Sequence, residues 1–308
     1  MNNPIVILCA IILIYFVIAT FLKNKKKHRR KYSLGLQSAE KIENWIKNKN
    51  YGQIENYILK QELNDITQIV DHLALSLNEE DITTWHTSEN TDFSKLTLGV
   101  FYLHLAWIAR SHKLAKDVSK KNAESFFEYL IEAKEIFSEI PENSFFTPEL
   151  NTREIRLYMS LSNSHSATNA FHKVSKSNPE LIWPYLHYTE FIQPKWGGDV
   201  EDLLSFYENL PDHFLIRSIV ELKFIMDSII MDDNYFKKYN ANIYNFAHDK
   251  VIAIDKEFDS TNVTSIHKYI LFNYMEAVCE QLNLNKLQKK YKRLMDNNYT
   301  IFPYGLIQ

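Results

Sequence analysis

Glycine, proline and cysteine are all scarce in this chain. Six glycines serve 308 residues, and neither GxGxxG nor GxxxxGK occurs, so nucleotide binding through a Gly-rich phosphate loop is not expected. With only eight prolines, architectures that need many tight turns, such as sandwiches and propellers, are disfavoured. Cys9 and Cys279 are the two cysteines; they build neither a disulfide framework nor a multi-cysteine metal site, and fit a reducing compartment. HExxH is missing, and the eleven histidines are scattered. His165 and His172 share a helical face by spacing, but no third ligand stands near them, so no metal is expected. Ser164 beside His165, and His187 near Glu190, invite a catalytic reading, but such neighbours arise in any chain this polar. No catalytic residue and no cofactor is assigned.

What is present is apolar and aromatic: 45% of residues are hydrophobic and 14% aromatic. That supplies a core for one large or two modest domains. Few turn-formers and long amphipathic runs together indicate an all-α fold. The most strongly patterned stretch is N-terminal. Ile5 to Leu22 is eighteen residues without a charge, reaching roughly 27 Å as a helix, about the thickness of a bilayer core. Lys23, Lys25, Lys26, Lys27, Arg29, Arg30 and Lys31 follow at once, and no Lys or Arg precedes the run. A cleaved signal would need a basic region before the run and a small-residue cleavage site after it, and both are missing. The pattern therefore predicts an uncleaved anchor over residues 1–22 that contacts the lipid bilayer through Ile5 to Leu22. A basic juxtamembrane linker over residues 23–37 and a helical domain over residues 38–308 complete the division. By the positive-inside bias the N-terminus lies outside and the bulk is cytoplasmic, in a single-pass arrangement. With those seven cations set aside, 28 Lys and Arg stand against 38 Asp and Glu. So acidic a body argues against nucleic acid as a partner.

Helical periodicity continues along the rest of the chain. Ala39–Lys47, Tyr51–Leu63, Asn64–Leu77 and Asn78–His86 read as amphipathic helices. Leu96–Ser111 is apolar on nearly all sides and reads as an enclosed helix; the alternation of Leu96, Leu98 and Val100 is its strand-like alternative. In that segment His104 and Arg110 read either as satisfied core groups or as ligand contacts. Ala115–Ile140 follows, then Asn151–Leu161 and Ala167–Ser175. Asp212–Met231, Asn240–Phe258, Asn262–Gln281 and Leu284–Met295 form the C-terminal third. The last helix carries Lys286, Lys289, Lys290, Lys292 and Arg293, a solvated face or a second membrane contact. The apolar tail IFPYGLIQ is expected to dock on the body.

The punctuation that the chain otherwise lacks is concentrated at Leu181 to Asp202. Pro184, Pro194, Gly197 and Gly198 fall there beside Trp183 and Trp196. A helix ending near Gln193, a turn through Pro194, Gly197 and Gly198, and a next helix capped by Asp199 is the local reading. Trp196 is read in two ways: a ring wedged between helix pairs, or an exposed binding hot spot on the turn. Pro141, Pro179 and Pro211 each close an aromatic-bearing helix, at spacings close to a tetratricopeptide unit. An irregular α-domain is the alternative.

YLHLAWIARS, Tyr102 to Ser111, together with SNPEL and QPKWGGDVEDLLSF, Gln193 to Phe206, resembles an uncharacterised bacterial domain-of-unknown-function family. Its hallmark is a Pro-Arg/Lys-Trp-Gly-Gly turn in a tetratricopeptide-like helical domain. The resemblance covers roughly Tyr102 to Asp212 and rests on Pro194, Lys195, Trp196, Gly197 and Gly198, with Trp107 and Arg110 in support. Asp199 stands where a small hydroxyl residue is usual, and keeps capping ability. The resemblance implies an all-helical fold in a bacterium, which would make the membrane the bacterial inner membrane, and no particular chemistry. The expectation is a membrane-anchored helical-repeat scaffold that binds a protein or peptide, with Trp196, Lys195, Trp107 and Arg110 as contacts. A helical enzyme at the membrane face and a membrane-tethered immunity protein remain open beside it.

Overall fold

A computed structural model describes residues 32–111, 117–196, 198–230, 243–301 and 303. The described residues form fourteen α-helices and no strand. They are α1 (Gln37–Lys47), α2 (Ile54–Ile58), α3 (Leu63–Ser76), α4 (Glu79–Glu89), α5 (Asp92–Arg110), α6 (Lys120–Ser138) and α7 (Thr147–Ser160). Then come α8 (Ser164–Ser177), α9 (Ile182–Phe191), α10 (Val200–Glu208), α11 (Phe214–Ile230), α12 (Ile243–Ser260), α13 (Lys268–Gln281) and α14 (Asn285–Met295). The anchor expected over Ile5 to Leu22 and the basic stretch Lys23 to Lys31 lie outside the described residues, as do Gly197 and most of the IFPYGLIQ tail. Among the described residues no helix is long and apolar enough to cross a membrane.

Local chemistry sets many of the helix starts. Side-chain oxygens of Asn78, Thr91, Ser119, Asn163 and Asp199 accept from backbone N–H groups in the first turns of α4, α5, α6, α8 and α10. Each satisfies a donor that the helix itself leaves open. The Thr91 cap starts α5 ahead of Leu96, and the apolar segment runs on from there as one continuous helix instead of a strand. Ser119 likewise delays α6 beyond Ala115, and Pro148 in the first turn of α7 brings that helix forward to Thr147.

Packing alternates along the chain. Helices α3, α5, α7, α9, α11 and α13 touch one another in succession, while α4, α6, α8, α12 and α14 each pack on an odd-numbered neighbour. Burial follows this division: α9 and α13 are buried along nearly their whole length, whereas α6 and α14 bury one stripe each. Gly99 allows the tightest of these contacts, because a Cβ there would collide with the Phe137 ring of α6. Two apolar cores result, one from α1 to α7 and one dominated by α7 to α14, with α7 contributing to both.

The array also curls back on itself. Asn64, in the first turn of α3, donates to the Glu180 carbonyl at 3.0 Å and accepts from the Ile182 N–H at 3.2 Å. The Asn64 carbonyl meets His267 Nε2 at 3.0 Å. One residue of α3 thus ties the turns before α9 and α13 together. The stretch expected to be a linker is in fact part of the body from Tyr32 onward. Ser33 and Leu34 are buried, Gln68 donates to the Tyr32 carbonyl, and Gly35 (φ +79°) faces Asn298 just beyond α14.

Candidate functional site

The odd-numbered helices carry charge as well as apolar stripes, and turn it inward. On α7, Glu149, Arg153 and Arg156 are spaced to share one face. Arg153 donates from Nη1 to Asp71 of α3 at 2.7 Å, from Nε to Glu149 at 2.5 Å and from Nη2 to the Thr67 carbonyl at 3.0 Å. The Thr67 hydroxyl closes the ring onto Glu149. His104 of α5 reaches the same Asp71 oxygen at 3.3 Å. Arg153, Asp71 and Glu149 are all buried. Burial alone would raise the Asp71 carboxyl; the Arg153 guanidinium and His104 outweigh it and hold Asp71 down at about 2. Burial raises Glu149 and lowers His104, so His104 is neutral and its Nε2–H donates to Asp71.

A second charged group joins α9 to α11. Lys223 donates to Glu190 at 2.5 Å and to Asp227 at 3.0 Å, and Gln193 donates to Asp227. Burial opposes the charge on Lys223, but Asp227 and Glu190 reverse that and move its pKa upward. His187, one turn before Glu190, is buried and held well below its ordinary pKa, first by burial and then by Arg156, Arg153 and Lys223. His187 Nε2, His104 Nδ1, Trp107 Nε1, Trp183 Nε1 and Gln193 Oε1 are buried without a protein hydrogen-bond partner.

Above this interior lies the turn that the sequence singles out. Pro194–Trp196 makes one turn of 3-10 helix, held by the Trp196 N–H on the Gln193 carbonyl at 2.9 Å. Gly198 is needed there for space: a Cβ would overlap the backbone of Ile192. Trp196 is partly exposed, and its Nε1 donates to Glu190 at 3.1 Å. Its ring meets Trp107 of α5 edge to face, with centroids 5.6 Å apart and planes at 82°. The Arg110 guanidinium lies 5.3 Å from the Trp196 ring and 5.6 Å from Trp107. Arg156 lies 4.6 Å from Trp107, and burial lowers its pKa to about 10.

Trp107, Arg110 and Trp196, the contacts expected from sequence, therefore meet although they come from α5 and the turn before α10. Lys195 is in the same turn; its side chain lies outside what is described. Trp196 packs against the core while keeping an exposed edge. Asp199 caps α10 by accepting from the Asp202 N–H at 2.7 Å. His165 and His172 are exposed, and among the described residues no cluster of three His, Cys, Asp or Glu is placed to hold a metal. Cys279 is buried and its thiol is pushed up to about 12, by burial first and then by Asp255 and Glu276.

Arg153, Asp71, Glu149, Lys223 and Asp227 are not among the residues that the sequence marks as a site. Their only signal there is a charge inside an apolar stripe, as in Ile69-Val70-Asp71 and Leu222-Lys223-Phe224. Fold and site together define an all-helical protein with an ionic interior and a tryptophan–arginine cluster at its surface. No family model, curated protein or solved structure matches the chain.

Proposed function

We propose that the chain is a single-pass, N-out membrane protein whose cytoplasmic helical-repeat body, similar to tetratricopeptide arrays, binds a segment of a partner protein at the Trp107–Trp196–Arg110 cluster. The observation that carries this reading is the convergence of two partly exposed tryptophans under one guanidinium, drawn from elements 86 positions apart at Arg110 and Trp196. Arg110 donates from Nη1 to the Ser111 carbonyl at 3.3 Å, and a guanidinium stacked on indole holds its planar fork in one orientation beside the two rings. Trp and Arg are among the residue types that dominate binding energy at interfaces. The ionic chain behind the cluster, from Trp196 through Glu190 to Lys223, holds the ring in place, so little ordering is needed on binding.

Affinity capture from intact membranes after crosslinking tests the reading, with wild type compared with Arg110→Gln and Phe127→Ser. Phe127 is half exposed on α6 and serves as the control. We expect Arg110→Gln to weaken capture of one partner by about tenfold, roughly 1.4 kcal/mol, with an unchanged helical circular dichroism spectrum. Phe127→Ser should capture as wild type does. A partner held equally by all three proteins would remove the cluster from the interface.

A further inference from the structure

The cationic side of α14 has a place in the fold that its sequence alone does not reveal. Of its five basic residues, Lys290 is occupied, reaching Asp255 at 2.8 Å and Asp259 at 2.7 Å. Lys286, Lys289, Lys292 and Arg293 are exposed, and none forms an ion pair among the described residues. Tyr291 and Met295 point the other way, buried in the core. The helix therefore presents four cations without a carboxylate partner on its outer side, with the exposed Leu294 among them.

The neighbour of this face is the point where the chain enters the body. Gly35 is a neighbour of Asn298, whose Oδ1 would stand 3.8 Å from a Cβ added at Gly35, and Asn298 is tied to the last turn of α14 by two hydrogen bonds to the Met295 carbonyl, at 2.8 and 2.9 Å. Leu34 belongs to the same core as Tyr291 and Met295. Immediately before Tyr32 in sequence stand the seven cations of Lys23 to Lys31 and, before them, the uncharged run Ile5 to Leu22. The entry point that follows the basic stretch and the basic helix are thus brought to one corner of the molecule from opposite parts of the chain.

We propose that the Lys286, Lys289, Lys292 and Arg293 face of α14 is a second membrane contact, resting on anionic lipid headgroups beside the anchor. This rests on the anchor reading above and adds an orientation to it. An anchor that ends before residue 32 keeps the body close to the headgroups but does not by itself choose which face meets them. Four cations next to the tether select one face, because each attracts an anionic surface within a Debye length, about 8 Å at physiological salt. The lipid source is favoured over an acidic protein because the chain enters the body beside this face, directly after the basic stretch and the uncharged run read as the anchor.

The test uses the full chain reconstituted in vesicles of phosphatidylcholine alone or with about 30% phosphatidylglycerol, an anionic headgroup. Outward-facing molecules are treated with a membrane-impermeant amine-acetylating reagent, and each lysine is quantified by mass spectrometry. We expect acetylation of Lys286, Lys289 and Lys292 to fall about fivefold in the anionic vesicles and to recover at about 0.5 M salt. Lys121 and Lys176, exposed on α6 and α8, should react equally in both. Equal reactivity of the α14 lysines in both vesicles overturns the contact. Equal protection in both overturns the lipid assignment, since a neutral bilayer offers no such attraction. Alkaline-carbonate extraction of the phosphatidylcholine vesicles reads the anchor separately: release of the chain removes the anchor and the proposal with it, whereas retention with unprotected lysines removes only the α14 contact.

Discussion

His187 and His104, with His267 acting in the same direction, are two of the buried groups through which this interior senses pH. Both are buried and both have pKa values below the ordinary histidine range, with burial as the first cause. Above the unfolded value, about 6.5, neither the folded nor the unfolded chain protonates them, and their full contribution to stability is present. As pH falls below that value, the unfolded chain takes up protons that the folded chain refuses. His187, held well below that value, then costs up to about 1.4 kcal/mol of stability per pH unit, and His104 adds to the loss in the same direction. We expect urea unfolding midpoints to fall steadily from about pH 6.5 to about pH 5. His187→Phe should lower the slope while leaving stability at neutral pH within about 1 kcal/mol, because the buried Nε2 it removes has no protein partner among the described residues. The variant isolates the histidine from Glu149 and Glu154, whose pKa values burial raises and whose effect has the opposite sign. An unchanged slope in His187→Phe would show that His187 is not the group responsible.

At the scale of the element, the turn at Pro194–Trp196 depends on one close approach. Gly198→Ala must displace the Ile192 backbone, and with it the platform that places Trp196 against Trp107. We expect a loss of roughly 2 kcal/mol in unfolding free energy, together with a change in tryptophan fluorescence. A Gly198→Ala protein with wild-type stability and emission would mean that the approach is relaxed at no cost. This turn is legible in the sequence because Pro and Gly are rare elsewhere and mark their positions physically. Most helices are legible too, since an apolar stripe at helical spacing needs no partner to be seen. Their ends are less so: Thr91, Ser119 and Asn163 act as caps through a single oxygen, and Asn262 to Thr264 is irregular, followed by a turn at Ile266 and His267 held by Ser265, where periodicity suggests helix. The ionic interior is hidden for a different reason. Arg153 and Asp71 lie 82 positions apart and Lys223 and Glu190 lie 33 apart, so their pairing exists only once the helices have packed.

Across the whole molecule, Asn64 links the N-terminal helices to two later turns. Removing its side chain in Asn64→Ala breaks the bonds to Glu180 and Ile182 while the carbonyl contact with His267 remains. We expect a cost of roughly 2 kcal/mol and faster amide hydrogen exchange at the start of α9 as well as around α3. Exchange that rises near residue 64 alone would mean the array is held closed by its apolar cores and not by this asparagine.

The pairing of buried charges between odd-numbered helices also bears on how such a chain can change in length. Simple solenoids tolerate duplication or loss of a unit because each repeat satisfies itself against its immediate neighbours. Here Asp71 of α3 is neutralised from α7, and Glu190 of α9 from α11. Removing α3 without α7, or α9 without α11, would strand a charge in the interior, at a cost of several kcal/mol. These helices can therefore be lost or gained only together with the partner that neutralises them.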